Sequence, residues 1–253
     1  MMEEKQSKVL KIIMAAILLV SMYFVAGEGA AYVNSDKVEE EKEEAEKNGG
    51  KAEKRDFCVV IDAGHGGADP GKVGVNGSLE KEINLKIAEM VKAFLETEGV
   101  EVVMTRTDDH GLYDDDASNK KVQDMKRRIA IIEEAHPQIV VSIHQNSYHE
   151  EYVHGAQVFY YNGSSTGKRL AELIQKRFII SVDEENKREA KANDSYYLLK
   201  KTSCPIVIVE CGFLSNREEE AKLNSAVYQE KAAWAVYMGI MQYLNGYDSY
   251  VAK

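Results

Sequence analysis

Apolar residues fall into two rhythms along this chain. Five short runs rich in β-branched residues, Phe57–Asp62, Val100–Met104, Ile139–Ile143, Ala156–Tyr161 and Ile206–Glu210, have the length and composition of buried strands. Between them apolar residues recur every three or four positions. Leu79–Glu98 places Leu79, Ile83, Ile87, Met90, Phe94 and Leu95 on one helical face, with Ser78 as the expected cap and Gly99 as the stop. Val122–Ala135, Gly167–Ile180 and Ala226–Leu244 carry similar stripes, the last including Trp234 and Met238. We read these stripes as core. Strands alternating with helices predict an α/β fold: a single domain with a twisted, mostly parallel (mixed) sheet and helices on both faces. No internal repeat and no second folded domain is legible.

The pattern breaks down before Arg55. Ile12–Ala26 holds fifteen residues without a charge, preceded by Lys5, Lys8 and Lys11. A positive flank followed by an apolar run reads as an export signal with the lysines left inside the cell. It is short for a full span, although continuing to Val33 past Glu28 lengthens it, and Val25-Ala26-Gly27 would serve as a weak cleavage site. Retention as a membrane anchor is the preferred reading, cleavage the other. Asp36–Lys54 is almost all Glu, Lys and Asp around Asn48-Gly49-Gly50, too poor in apolar surface to fold alone. The expected organisation is therefore a signal or anchor segment over 1–33, a charged linker over 34–55 and a folded domain over 56–247.

Charge and cysteine content narrow the function. A net charge of −10 and a pI near 5.2 argue against nucleic acid as a partner, since binding phosphates requires clustered Lys and Arg. Cys58, Cys204 and Cys211 form no C-x-x-C pair, so thiolate zinc binding has no support. We assign the three to the core, where free cysteine behaves as a small hydrophobe.

The glycine-rich stretch after the first strand admits two chemistries. Gly66-Gly67-Ala68-Asp69-Pro70-Gly71-Lys72 fits the spacing of a phosphate-binding loop. However, Val73 follows the lysine and offers no hydroxyl to a magnesium ion. Val73-Gly74-Val75-Asn76-Gly77 is also glycine-broken and cannot supply the helix N-terminus that binds phosphate. Asp69 adds a repelling charge, and export removes the nucleotide pool. Metal binding fits better. Hydrolytic zinc takes three N/O ligands and leaves one position for water. His65 follows the first strand, Glu80 opens the next helix, where the helix dipole favours a carboxylate, and His144 follows Ile139–Ile143. Glu82 would face away from Glu80. His149 and His154 read as loop residues, and His110 and His136 have no supporting neighbours. Glu210 ends Pro205–Val209, where an acid is costly unless it has a partner or a task. Two roles are open to it: general base toward a metal-activated water, or a salt bridge to a helix lysine.

Taken together, Val59-Val60-Ile61-Asp62-Ala63-Gly64-His65-Gly66-Gly67, Leu79-Glu80-Lys81-Glu82-Ile83-Asn84-Leu85, Ser142-Ile143-His144-Gln145-Asn146 and Val209-Glu210-Cys211-Gly212-Phe213-Leu214-Ser215-Asn216 resemble the zinc-dependent N-acetylmuramoyl-L-alanine amidases of the amidase-3 family. Thr105-Arg106 and Arg128 fall where that family has its threonine–arginine pair and a later arginine. The resemblance spans roughly Asp56 to Leu244. It implies one zinc per chain on His65, Glu80 and His144, Glu210 as catalytic acid/base, and peptidoglycan as substrate, cut between N-acetylmuramic acid and L-alanine. An activating protein partner is an open possibility. Within the family, the single-domain form with an N-terminal apolar segment, and the stretch Gly155–Tyr161, are most similar to the branch that makes muramic δ-lactam in spore cortex. Glu133 departs from the family's usual asparagine, and Gln145 from the commoner alanine or leucine. The expected location is extracytoplasmic, tethered to the membrane or secreted. Two rival functions are a non-catalytic peptidoglycan-binding module and a zinc peptidase cutting within the stem peptide.

Overall fold

A computed structural model describes residues 57–246 of the chain. The expected signal or anchor segment and the charged linker lie outside the described residues. Among the described residues there are six strands: β1 (Cys58–Ala63), β2 (Glu101–Met104), β3 (Ile139–Asn146), β4 (Gln157–Tyr160), β5 (Lys191–Ala192) and β6 (Ile206–Phe213). They form one sheet in the order β2-β1-β3-β6-β4-β5. The first four in that order are parallel, and β4 turns the other way against β6. The mostly parallel, mixed α/β sheet expected from the sequence is thus present.

Helices α1 (Glu80–Thr97), α3 (Ser165–Ser181) and α6 (Ala226–Leu244) cover one face of this sheet. Helices α2 (Lys120–Ala135) and α4 (Tyr197–Lys201) cover the other, and α5 (Arg217–Leu223) follows β6. Strand periodicity decides which side chains meet which helices. In β1, β3 and β6 the residues Val59, Ile61, Val141, Ile143, Val207 and Val209 enter the larger cluster. Val60, Val140, Ile206 and Ile208 enter the smaller one beneath α2 and α4. Continuing the same alternation, Asp62, His144 and Glu210 emerge on the α2–α4 side. Their placement follows from parity.

Four local expectations change. Ser78 does not cap α1: Leu79 holds that position without a side-chain cap, and the Ser78 hydroxyl donates to Glu220 instead (2.7 Å). His144 and Glu210 do not end their strands. Both β3 and β6 run on to Asn146 and Phe213, with a register shift between His144 and Asn146. Trp234 is not core; it is 44% exposed and packs edge-on against Phe94 at the surface. Of the three cysteines only Cys211 is fully buried. Short β5, α4 and α5 carry too few apolar positions to stand out by periodicity, and none was expected.

Candidate metal centre

β1 hands over to the glycine loop at Gly64, and the chain enters a strained conformation there. His65 has φ = +63°, a region that L side chains rarely occupy and that persists where surrounding bonds over-determine it. Two buried arginines supply those bonds. Arg128 donates to the carbonyls of Ala63 (2.8 Å) and His65 (2.6 Å). Arg106 donates to those of Ala63 (2.9 Å), Gly64 (2.9 Å) and Lys81 (2.8 Å). The positions singled out by resemblance alone, Arg106 and Arg128, thus clamp the turn that presents His65.

The structure brings together the trio expected from the sequence. His65, Glu80 and His144 place one ligand-type atom each within 4.8 Å of one another. Glu80 Oε1 lies 3.2 Å from His65 Nε2 and 3.0 Å from His144 Nδ1. The same oxygen accepts from the Gln145 backbone N–H (3.0 Å), while Oε2 accepts from that of Lys72 (2.7 Å). The other His65 nitrogen, Nδ1, faces Asp69 Oδ2 at 3.0 Å, the outer carboxylate that fixes tautomer and ring orientation in many metal sites. Asp69, weighed in the sequence only as a defect in a phosphate loop, is therefore part of the centre. His110, His136, His149 and His154 stay outside it. His110 pairs with Asp108 at the surface, His136 caps α2, His149 faces Glu150, and His154 Nδ1 lies 2.9 Å from the Tyr152 carbonyl oxygen.

Two glycines make room for these side chains. A Cβ on Gly64 would lie 2.3 Å from His144 Nε2, and one on Gly71 2.5 Å from Glu80 Oε2. Burial disfavours a charged imidazole at His65, but the hydrogen bond and charge of Glu80, and then those of Asp69, outweigh it and raise the group to about 9. Burial likewise opposes the Glu80 carboxylate, yet the two histidines hold it far below the usual range. The residues fit a divalent cation on this ground. One carboxylate oxygen shared by two imidazoles, within a space kept open by glycines, would stabilise a positive charge where the three donors converge.

Glu210 sits beside this trio, in register with His144 on the adjacent strand. It is 5% exposed, and its Oε2 has no hydrogen-bond partner among the described residues. Its Oε1 accepts from the Tyr196 phenol at 2.9 Å, so the lysine salt bridge considered above is replaced by a neutral donor. Burial pushes the carboxyl up to about 7; the charge on His144 opposes that and the charge on Glu80 adds to it. His65, Asp69, Glu80, His144, Tyr196 and Glu210 line one groove of about 720 Å³, together with Ala68, Tyr113, Lys121 and Leu198. Tyr196 was missed from sequence because it lies in a short turn between elements too small to show a period.

An open α/β sheet with a His–Glu–His cluster and a buried acid toward the carboxyl ends of its parallel strands defines a hydrolase domain with a metal-competent centre. The chain belongs to the N-acetylmuramoyl-L-alanine amidase family Amidase_3, whose model matches residues 59–242, and it is an enzyme of that activity. It is 34% identical over 190 residues to the germination-specific N-acetylmuramoyl-L-alanine amidase of Bacillus subtilis, covering 74% of this chain and 79% of that one. Among solved structures, the CwlD amidase of Clostridioides difficile, determined in complex with the GerS lipoprotein, is similar with a TM-score of 0.74. The two are 39% identical, over 76% of this chain and 100% of the other. The amidase AmiC2 of Nostoc punctiforme gives a TM-score of 0.66 at 35% identity, over 75% and 97% of the two chains.

Proposed function

We propose that this amidase works with one zinc ion held by His65, Glu80 and His144, with Glu210 as the acid/base, and that its substrate is the peptidoglycan of spore cortex. The observation that carries the metal reading is the shared Glu80 Oε1, 3.0 and 3.2 Å from the two imidazoles. Zinc, when bound, supplies a Lewis acid that polarises the scissile carbonyl and acidifies the attacking water. The chain's own residues do the rest. Glu210, poised near neutrality with one free oxygen, takes the water proton as oxygen adds to the lactyl carbonyl carbon. As the C–N bond breaks, the same carboxyl returns the proton to the departing amine of L-alanine. The groove these residues line would hold the muramoyl-peptide around the scissile bond.

The cortex role is supported by the similarity to a germination-specific amidase and to CwlD. The relative solved with a lipoprotein also supports a protein partner for this chain. Residues 1–33 would export and tether the enzyme, 34–55 would act as a spacer, and 56–247 would be the catalytic domain acting outside the cytoplasm. Among the described residues no helix is long and apolar enough to cross a membrane. The full set of four polar residues disfavours a non-catalytic binding module. Cleavage within the stem peptide is separated by the products.

Digestion of purified sacculi should release free stem peptides beginning at L-alanine, and chelator should abolish release until zinc is restored. His65→Ala and His144→Ala should each lose bound zinc on metal analysis, because each removes one of three protein ligands. Full zinc occupancy in both would place the metal elsewhere, and fragments cut inside the peptide would identify a peptidase. In a spore-forming host, deletion should leave cortex muramic acid without δ-lactam. Normal δ-lactam content there would return the enzyme to general wall turnover.

A further inference from the structure

We infer that Tyr196 is a positioning residue for the reaction: its phenol anchors one oxygen of Glu210 and leaves the other as the sole site of proton transfer. The inference rests on the reading of Glu210 as the acid/base and adds a second group through which that reading works. The two carboxylate oxygens are unequal in the structure. Oε1 accepts from the Tyr196 hydroxyl at 2.9 Å, whereas Oε2 is buried and has no partner among the described residues. A carboxylate free to spin about its last torsion would offer either oxygen to the groove. One short hydrogen bond removes that freedom.

Tyr196 is itself held from two directions. Its ring packs edge-on against Phe159 of β4, with centroids 5.7 Å apart. Its backbone N–H donates to Asn193 Oδ1 (3.1 Å), which also accepts from the N–H (2.7 Å) and hydroxyl (2.8 Å) of Ser195. The Asn193 N–H in turn donates to the carbonyl of Tyr160 at the end of β4 (2.8 Å). β4 is the strand hydrogen-bonded to β6, with Gln157 opposite Glu210. Asparagine turn, aromatic contact and strand pairing thus fix the phenol relative to the carboxylate it serves. Burial, followed by the charge of Glu210, holds the phenol well above its usual range, so it remains a donor at neutral pH. The bond also favours the ionised carboxylate, countering burial around Glu210.

The test is a double-mutant cycle on the full-length zinc enzyme with a soluble muramoyl-peptide. Tyr196→Phe keeps the ring and its packing and deletes only the hydroxyl. It should lower kcat by about tenfold, the scale of one hydrogen bond to a charged group, with KM and zinc content unchanged. Placed on Glu210→Gln, it should cost nothing further, because its effect passes through the carboxylate. Asn193→Ala, which loosens the turn but retains the phenol, should give a smaller loss in kcat and serves as the second variant if Tyr196→Phe folds poorly. Wild-type kcat in Tyr196→Phe, or a rise in KM alone, with Glu210→Gln inactive, would overturn the inference and leave the Glu210 reading intact. Multiplicative losses in the double mutant would also overturn it, since the phenol would then act on another group. Wild-type turnover in Glu210→Gln would overturn both readings together.

Discussion

Asp62 and Glu210 are both buried acids near the carboxyl ends of parallel strands, on the same face of the sheet, yet the fold treats them in opposite ways. Asp62 is completely enclosed and fully answered. Its Oδ1 accepts from Arg128 (2.6 Å) and Thr105 (2.7 Å), and its Oδ2 from the Ser142 hydroxyl. Burial works against this carboxyl, but Arg128 and then the two hydroxyls bring it down to about 2. Glu210 is nearly as enclosed but receives one neutral donor, keeps one oxygen without a partner among the described residues and is pushed up to about 7. The lesson is that burial alone does not mark a working acid. An acid matched on both oxygens is a structural tie; one left half-matched beside the His65–Glu80–His144 cluster keeps an oxygen that a proton could occupy.

Exchanging each acid for its amide tests this contrast directly. Glu210→Gln should lower turnover by about 10²–10⁴-fold, the usual range for a general acid–base group, while zinc content and Tm hold. A variant that unfolds but turns over normally in its folded fraction would make Glu210 a second Asp62. Asp62→Asn should do the reverse. It leaves Arg128 short of its main counter-charge, so chemical denaturation should show a loss of about 3 kcal/mol at neutral pH. The kcat of the folded fraction should remain near wild type, because Arg128 still reaches the carbonyls of Ala63 and His65. A large fall in kcat with unchanged stability would break the comparison from the other side.

The smallest effect is the pH dependence of that same tie. Asp62 titrates lower in the folded state than its ordinary 3.8, so its contribution is fully present above about pH 4 and is lost as pH falls toward about 2. The shift of nearly two units corresponds to about 2.5 kcal/mol. Denaturation series from pH 5 downward should therefore narrow the gap between wild type and Asp62→Asn by most of that amount as pH approaches 2. A gap that stays constant over that range would mean Asp62 is not the titrating partner of Arg128.

Much of the architecture was legible because it depends on local periodicity. Short apolar runs placed β1, β2, β3, β4 and β6, and the stripes of α1 and α6 gave their spans to within a residue or two. The trio was legible because glycines beside His65, a first-turn Glu80 and a histidine on an apolar strand are each unusual. Asp69, Arg106, Arg128 and Tyr196 were legible only as residues or by resemblance. Each acts through a partner tens of residues away, or through a turn whose geometry leaves no period.

By itself, the sequence determined the sheet, its helical cover and, through strand parity, the face on which Asp62, His144 and Glu210 emerge. These are consequences of side-chain alternation within single elements. Only the tertiary structure decided which acid would be tied and which left free. Asp62 meets Arg128 from α2 and Ser142 from β3, whereas Glu210 meets a phenol carried by a turn next to β4. The energy of a buried carboxylate is set by the donors that reach it through space, and no spacing along one chain segment encodes them.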